Sequence, residues 1–298
     1  MCGIVGLLLK KPGLRDQLGA LMVPMLIGMT ERGPDSAGLA VYTEPVPEGE
    51  HKLSLYSGAH AVDWPGLLAA LKEELTHAQS IAINGNHAVL TTRAEPLKVS
   101  AWLAANAPEV AVLSVGHSID LYKDVGAPAE IARRYHFESL SGTHLVGHTR
   151  MATESAVTPA HAHPFTAGRD FCLVHNGSLS NPHLVRKRLE PLGIEFETDN
   201  DTEAACRFFE WRLREGDDLE TAVEHGFSEL DGFYTFLMGT ERALLIVRDA
   251  FACKPAVIAE SDDYVAIASE FRSLAHLPQI AHASLIEPKP EEIYSWHI

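Results

Sequence analysis

Apolar residues run almost unbroken from Ile4 to Leu9, and Gly3–Leu9 has the pattern of a short buried strand. Such a run is far too short to cross a bilayer. The period then changes: within Asp16–Met29, Leu18, Leu21, Met22 and Met25 recur at helical spacing, and Gly33-Pro34 punctuates the turn that follows. Gly38–Tyr42 is a second predicted strand. Trp64–His77 sets Leu67, Leu68, Leu71 and Leu75 on one face opposite Lys72, Glu73 and Glu74, which predicts a surface helix. His87–Thr92 and Val110–Val115 are strand-like, and Pro128–Phe137 is a short amphipathic helix. Further strands are predicted at Thr143–Thr149, Phe171–His175, Thr235–Met238, Ala243–Arg248, Pro255–Ala259 and Tyr264–Ser269, with one long helix at Asp201–Arg214. Many strands and few helices predict layered sheets with helices packed outside. With no repeat and no convincing linker, the expectation is one domain over residues 1–298, ending in an exposed Pro288–Glu292 tail.

Composition narrows the function more than the fold. The 298 residues are 46% hydrophobic and 21% charged, the balance of a globular chain. The formal charge of −16 argues against nucleic acid or an anionic membrane surface as partner. Cys2, Cys172, Cys206 and Cys253 are scattered, without a CxxC pair or a secretory signal, so free thiols in a reducing cytoplasm are expected. Sixteen histidines raise the question of a metal, but His161 and His163 lie in an Ala- and Pro-containing loop and no HExxH or Cys/His cluster occurs. No metal is expected.

Candidate chemistry begins at Cys2. Removal of Met1 before so small a residue would leave a thiol and a free α-amine on one amino acid. An α-amine titrates near ~7.7–8.0 and can take the thiol proton and return it to a leaving amine. Gly3 would let a substrate approach without a side chain in the way. His175-Asn176-Gly177 follows an apolar strand, where a side-chain amide and a backbone N–H can converge on an oxyanion; Asn-Gly is equally a hairpin signal. Arg150, ending a strand, could offer its fork to a carboxylate with Thr153 adding a hydroxyl, or could form a surface ion pair. Asp201 could support the start of its helix, bind an ammonium, or do both.

Met-Cys-Gly-Ile-Val-Gly, Arg32–Gly38, Gly147–Thr153, His175–Gly177, Asp201-Thr202-Glu203, Asp231–Tyr234 and Arg248-Asp249 through Lys254-Pro255 occur in one order. That series resembles the class II glutamine amidotransferases. The resemblance implies an α+β fold of the N-terminal-nucleophile hydrolase type, a four-layer αββα sandwich. It also implies hydrolysis of glutamine to glutamate and ammonia. Cys2 would be the nucleophile, Asn176 and Gly177 the oxyanion hole, Arg150 and Thr153 the holders of the α-carboxylate, and Asp201 the holder of the α-ammonium. Arg32 would orient the nucleophile strand. Glu154 stands where some members place His or Asn, and the stretch between Ser36 and Arg150 is long, which marks an enlarged insertion at about 44–140.

Within the class, Tyr122–Gly126 and Gly147–Ser155 look like the separate amidotransferase subunits of the glutamate synthase group, and within that group the chain as a whole resembles the first subunit of N-methylglutamate synthase. The archaeal type of glutamate synthase stands close behind. The chain has no Gly-rich dinucleotide fingerprint, P-loop or iron–sulfur cysteine set. No cofactor is expected in it, while FMN and an iron–sulfur cluster are expected on partner subunits of a hetero-oligomer. A γ-glutamyl amide hydrolase and a non-catalytic glutamine- or glutamate-sensing subunit are the alternatives.

Overall fold

The computed structural model describes residues 2–58, 62–75, 78–152 and 157–298, with the side chains of 78 and 79 left aside. The chain opens with β1 (Gly3–Leu9), α1 (Leu18–Gly28) and β2 (Ser36–Tyr42). An excursion follows through β3 (His51–Ser57), α2 (Trp64–Glu74), β4 (Ala78–Asn84), β5 (His87–Thr92), α3 (Pro96–Asn106) and β6 (Val110–Gly116). β7 (Ile119–Val125), α4 (Pro128–Arg134) and β8 (His144–Arg150) come next. Then come β9 (Phe165–Ala167), β10 (Phe171–Leu179), α5 (Pro182–Leu189), α6 (Asp201–Glu215), α7 (Leu219–Glu229), β11 (Gly232–Thr240) and β12 (Ala243–Arg248). β13 (Val257–Glu260), β14 (Tyr264–Ala268), β15 (Ser284–Ile286) and β16 (Tyr294–His297) finish the chain.

The first sheet has the order β15-β13-β14-β1-β8-β2-β7, the second β16-β12-β11-β10-β9, and the third β4-β5-β3-β6. Period-two alternation sorts the side chains of the first two into layers. In β1, Val5, Leu7 and Leu9 pack with α1, whereas Ile4 and Leu8 meet Val174, Leu237 and Ile246 of the second sheet. In β10, Phe171 and Leu173 face α6 and α7, while Cys172 and Val174 face the first sheet. Both faces are covered, which is why these strands are apolar runs in the sequence rather than alternations. The result is the expected αββα sandwich, with α1 and α4 on one outer face and α5, α6 and α7 on the other.

The third sheet keeps its own core of Leu53, Leu55, Leu71, Leu90, Val99 and Leu103. β3 escaped the sequence pattern because its polar positions are buried against β7: Ser54 Oγ accepts from the Leu121 amide at 2.9 Å, and Tyr56 donates to Asp124 at 3.3 Å. Lys52 pairs with Asp120 in the same seam. The supposed tail is a correction. Arg248 donates to the Pro288 carbonyl, the Glu291 amide returns to the Arg248 carbonyl, and β16 then joins β12 at the edge of the second sheet.

Candidate active site

Cys2 shares the parity of Ile4 and Leu8 and so stands at one end of the layer between the two sheets. Its sulfur lies 4.0 Å from the Met151 carbonyl. Arg32 Nε donates to the Cys2 carbonyl at 2.9 Å, and its Nη1 reaches Glu270 Oε1 at 2.7 Å. The hydrogen bond from Arg32 holds the Glu270 carboxyl below the usual range. Ser269 brackets Ile4, two residues on from Cys2, accepting from its amide through Oγ at 3.0 Å and donating its own amide to the Ile4 carbonyl at 3.0 Å. Packing requires glycine at position 3: a Cβ there would stand 2.7 Å from both Met29 Cβ and Thr149 Oγ1. Cys172 and Cys206 are buried thiols pushed up by desolvation, Cys172 to about 12, which leaves Cys2 and the exposed Cys253 as the reactive candidates.

Asn176-Gly177 is not a hairpin turn. It lies inside β10, with Asn176 opposite Thr235 and Gly177 opposite Tyr234 of β11. Gly177 has φ +148°, and a Cβ would collide with the Phe233 carbonyl, so only glycine fits there. Asn176 shares the parity of Cys172 and Val174, is 2% exposed, and its Nδ2 finds no hydrogen-bond partner among the described residues. β8 ties this strand to β1. His148 sits opposite Ile4 of β1, and its Nε2 donates to the His175 carbonyl at 3.0 Å.

Arg150 ends β8 on the same inward parity and is 3% exposed, which excludes the surface ion pair. Asp35, which the sequence reading missed, binds the chain beyond it by accepting from the Ala152 amide at 2.9 Å. Thr153 and Glu154 lie outside the described residues. Asp201 is the first residue of α6, and the N-cap is Asn200, whose side chain accepts from the Thr202 amide at 2.8 Å. One Asp201 oxygen accepts from the Leu179 amide at 2.8 Å, so the helix start is fastened to the end of β10. Burial alone would raise its carboxyl, but the His175 ring 3.7 Å away and the bond from the Leu179 amide outweigh that and hold it lowered, hence ionised.

Behind the Asn176 strand lies a histidine network that sequence reasoning did not foresee. Thr202 Oγ1 is 2.8 Å from His163 Nε2 and 3.0 Å from His175 Nδ1, and the His163 ring packs 4.1 Å from that of His148. Desolvation drives His148 to about 3 and His163 well below its ordinary value, so both are neutral. A separate group, His117, Asp170 and Glu241, brings ligand atoms within 4.8 Å. The Asp170 carboxylate is already taken by the amides of His117, Ser118 and Ile119, so it anchors a turn.

Residues 148–276 match the glutamine amidotransferase domain. The chain is 48% identical over 297 residues to the glutamine amidotransferase-like protein GlxB of Rhizobium meliloti (strain 1021), covering 99% of this chain and 98% of that one. It is 36% identical over 308 residues to a Methanothermobacter thermautotrophicus protein with a provisional glutamine amidotransferase name, covering 99% of each. Glutamine phosphoribosylpyrophosphate amidotransferase from B. subtilis shares the fold, with a TM-score of 0.61 at 18% identity, over 99% of this chain and 49% of that one. The chain thus spans about half the length of that solved relative. Joined to the αββα sandwich, these likenesses place the chain in the class II glutamine amidotransferase family, with the N-terminal-nucleophile hydrolase fold.

Proposed function

We propose that this chain hydrolyses the side-chain amide of glutamine at Cys2 and delivers the ammonia to a separate synthase subunit. The observation that carries the reading is the Asn176 amide, a buried donor with no partner among the described residues, on the face that Cys2 shares. Leaving such a donor unpaired costs about 1–3 kcal/mol, a cost recovered when an oxyanion takes the place. With Met1 removed, the α-amine of Cys2 accepts the thiol proton, and the thiolate attacks the amide carbon of glutamine. Asn176 Nδ2 and the Gly177 amide hold the oxyanion. Collapse breaks the C–N bond, the proton passes to the departing ammonia, and water hydrolyses the thioester to glutamate. Arg150 and Thr153 hold the α-carboxylate, the ionised Asp201 holds the α-ammonium, and Arg32 fixes the Cys2 peptide.

The acceptor reaction belongs to partners related to the flavin- and iron–sulfur-bearing part of glutamate synthase, as N-methylglutamate synthase of methylamine metabolism or the archaeal-type glutamate synthase. FMN and the cluster sit on those subunits of a cytoplasmic hetero-oligomer. The experiment is intact mass spectrometry of the amino terminus, with labelling by a diazoketone analogue of glutamine and ammonia release from glutamine and from a γ-glutamyl peptide. The expected result is a chain starting at Cys2, labelled there, releasing ammonia from glutamine; Cys2→Ala abolishes both. Full-rate release from a chain that keeps Met1 sinks the mechanism. Preference for the γ-glutamyl peptide, or no labelling at all, replaces it with the hydrolase or the sensing reading.

A further inference from the structure

Tyr122-Lys123-Asp124-Val125-Gly126 was singled out in the sequence and has no part in the chemistry above. It closes β7, and Lys123 is 6% exposed, in the inward row that Leu121 shares. Its ammonium donates to the carbonyls of Ala162 at 3.0 Å, Pro164 at 3.4 Å and Ala160 at 3.5 Å, with the Phe165 ring centroid 4.9 Å away. Three donors are thus spent on one loop. Opposite Lys123 in register is Gly38, where a Cβ would collide with the His163 carbonyl, so the loop rests on bare backbone. That loop presents His163 to Thr202, and Thr202 meets His175 beside Asn176.

On its other side β7 is gripped by the third sheet. His87, on β5, is held neutral by burial at about 4, and its Nε2 accepts from the Lys123 amide at 3.2 Å. Ser54 and Tyr56 hold Leu121 and Asp124 on either side. Leu113–Val115 of β6 and Thr158–Ala160 of the loop face each other across a cleft of about 570 Å³. β7 therefore joins that sheet to this part of the loop, while β6 meets the chain beyond it directly, the Leu113 carbonyl accepting from Thr166 Oγ1.

We propose that Lys123 is a positioning residue through which the third sheet sets the 160–164 loop and, by Thr202, the strand that carries Asn176. The inference rests on the glutaminase reading. Burial lowers the Lys123 ammonium to about 8 against the opposing pull of the Glu197 and Glu203 carboxylates, with Cys206, His163 and His87 its neutral neighbours. Above that pH the neutral amine has fewer protons for three carbonyls, so activity should fall on the alkaline side.

The test compares Lys123→Met and Lys123→Arg in the full chain, reading glutamine KM and kcat, the rate of Cys2 labelling by the diazoketone, and both across neutral to alkaline pH. Lys123→Met should lower kcat/KM about tenfold or more and lose the alkaline limb. Lys123→Arg, whose guanidinium does not titrate there, should keep a cation and lose the same limb. A purely structural lysine would lower the melting temperature and leave the limb in place. Wild-type KM, kcat and pH profile in Lys123→Met overturn the proposal. If that variant does not fold, an unchanged alkaline limb in Lys123→Arg overturns it instead. A wild-type chain that neither labels nor releases ammonia refutes the glutaminase reading, a different outcome from either.

Discussion

Along β1, β8 and β10, the positions facing the opposite sheet include Leu8, Val146, Cys172 and Val174 toward one end and Cys2, His148, Arg150 and Asn176 toward the other, with Ile4 opposite His148 where the two meet. The strands, the face and the spacing are the same; only the chemistry changes. The apolar end is closed by dispersion and the release of water, and it uses every residue it buries. The polar end leaves Asn176 Nδ2, His148 Nδ1, His163 Nδ1, His175 Nε2 and Arg32 Nη2 buried without a partner among the described residues. One end holds the sheets together. The other gives up part of that stability by burying polar atoms unpaired, as functional sites do.

Exchanging the two behaviours is the direct way to break the comparison. Asn176→Leu removes a donor that bonds nothing among the described residues, so urea unfolding should show stability unchanged or slightly raised. Glutamine turnover should nevertheless fall about 10²–10³-fold, roughly 2.7–4 kcal/mol on the barrier. A large loss of stability with modest loss of turnover would mean that Asn176 is core. Leu237→Ala, at a fully buried position of the apolar end, should do the reverse: about 2–5 kcal/mol of stability lost, with the folded fraction turning over at an unchanged rate.

Periodicity made the apolar end legible. Gly3–Leu9 and Ala243–Arg248 are the predicted strands to the residue, because a strand buried on both faces has to be apolar throughout. β3 was not legible, since Lys52, Ser54 and Tyr56 satisfy polar groups across a seam that only the tertiary structure creates. Cys2, Arg32, Arg150, Asn176, Gly177 and Asp201 were legible through ordered motifs. Ser269, Glu270 and His163 were not, because each acts by a contact far along the chain, such as the 2.7 Å bond between Arg32 and Glu270. The only local sign of Ser269-Glu270 is a polar pair closing an apolar strand.

Acid pH should sharpen the contrast from the histidine side. His144 and His148 are held by burial at about 3 and His87 at about 4, against about 6.5 in an unfolded chain. Below that value the unfolded chain takes up protons that the folded one refuses. Stability is therefore complete above about pH 6.5 and falls as pH drops from there toward 3–4. Each such histidine contributes about 1.4 kcal/mol per pH unit. Urea midpoints followed between neutrality and mild acid should show this slope, and His144→Gln, at the apolar end, should remove about one histidine's share. A flat profile over that window would mean that these rings titrate in the folded protein.

The smallest effect expected belongs to Glu270, which touches the site only through Arg32. Its carboxyl is about a third exposed and is shared with Arg272, so its pairing is worth at most about 1 kcal/mol. Glu270→Gln keeps an oxygen for Arg32 Nη1 and removes the charge, so kcat should fall by no more than about fivefold with KM nearly unchanged. Because Arg32 holds this carboxyl below the usual range, the contribution is present above the ordinary glutamate pKa and is lost as pH falls through the lowered value. The wild-type and Glu270→Gln rates should therefore converge in acid and differ most at neutral pH. A hundredfold loss would place Glu270 among the groups that act on substrate, and the unpartnered polar atoms would then no longer be the main distinction between the two ends of the layer.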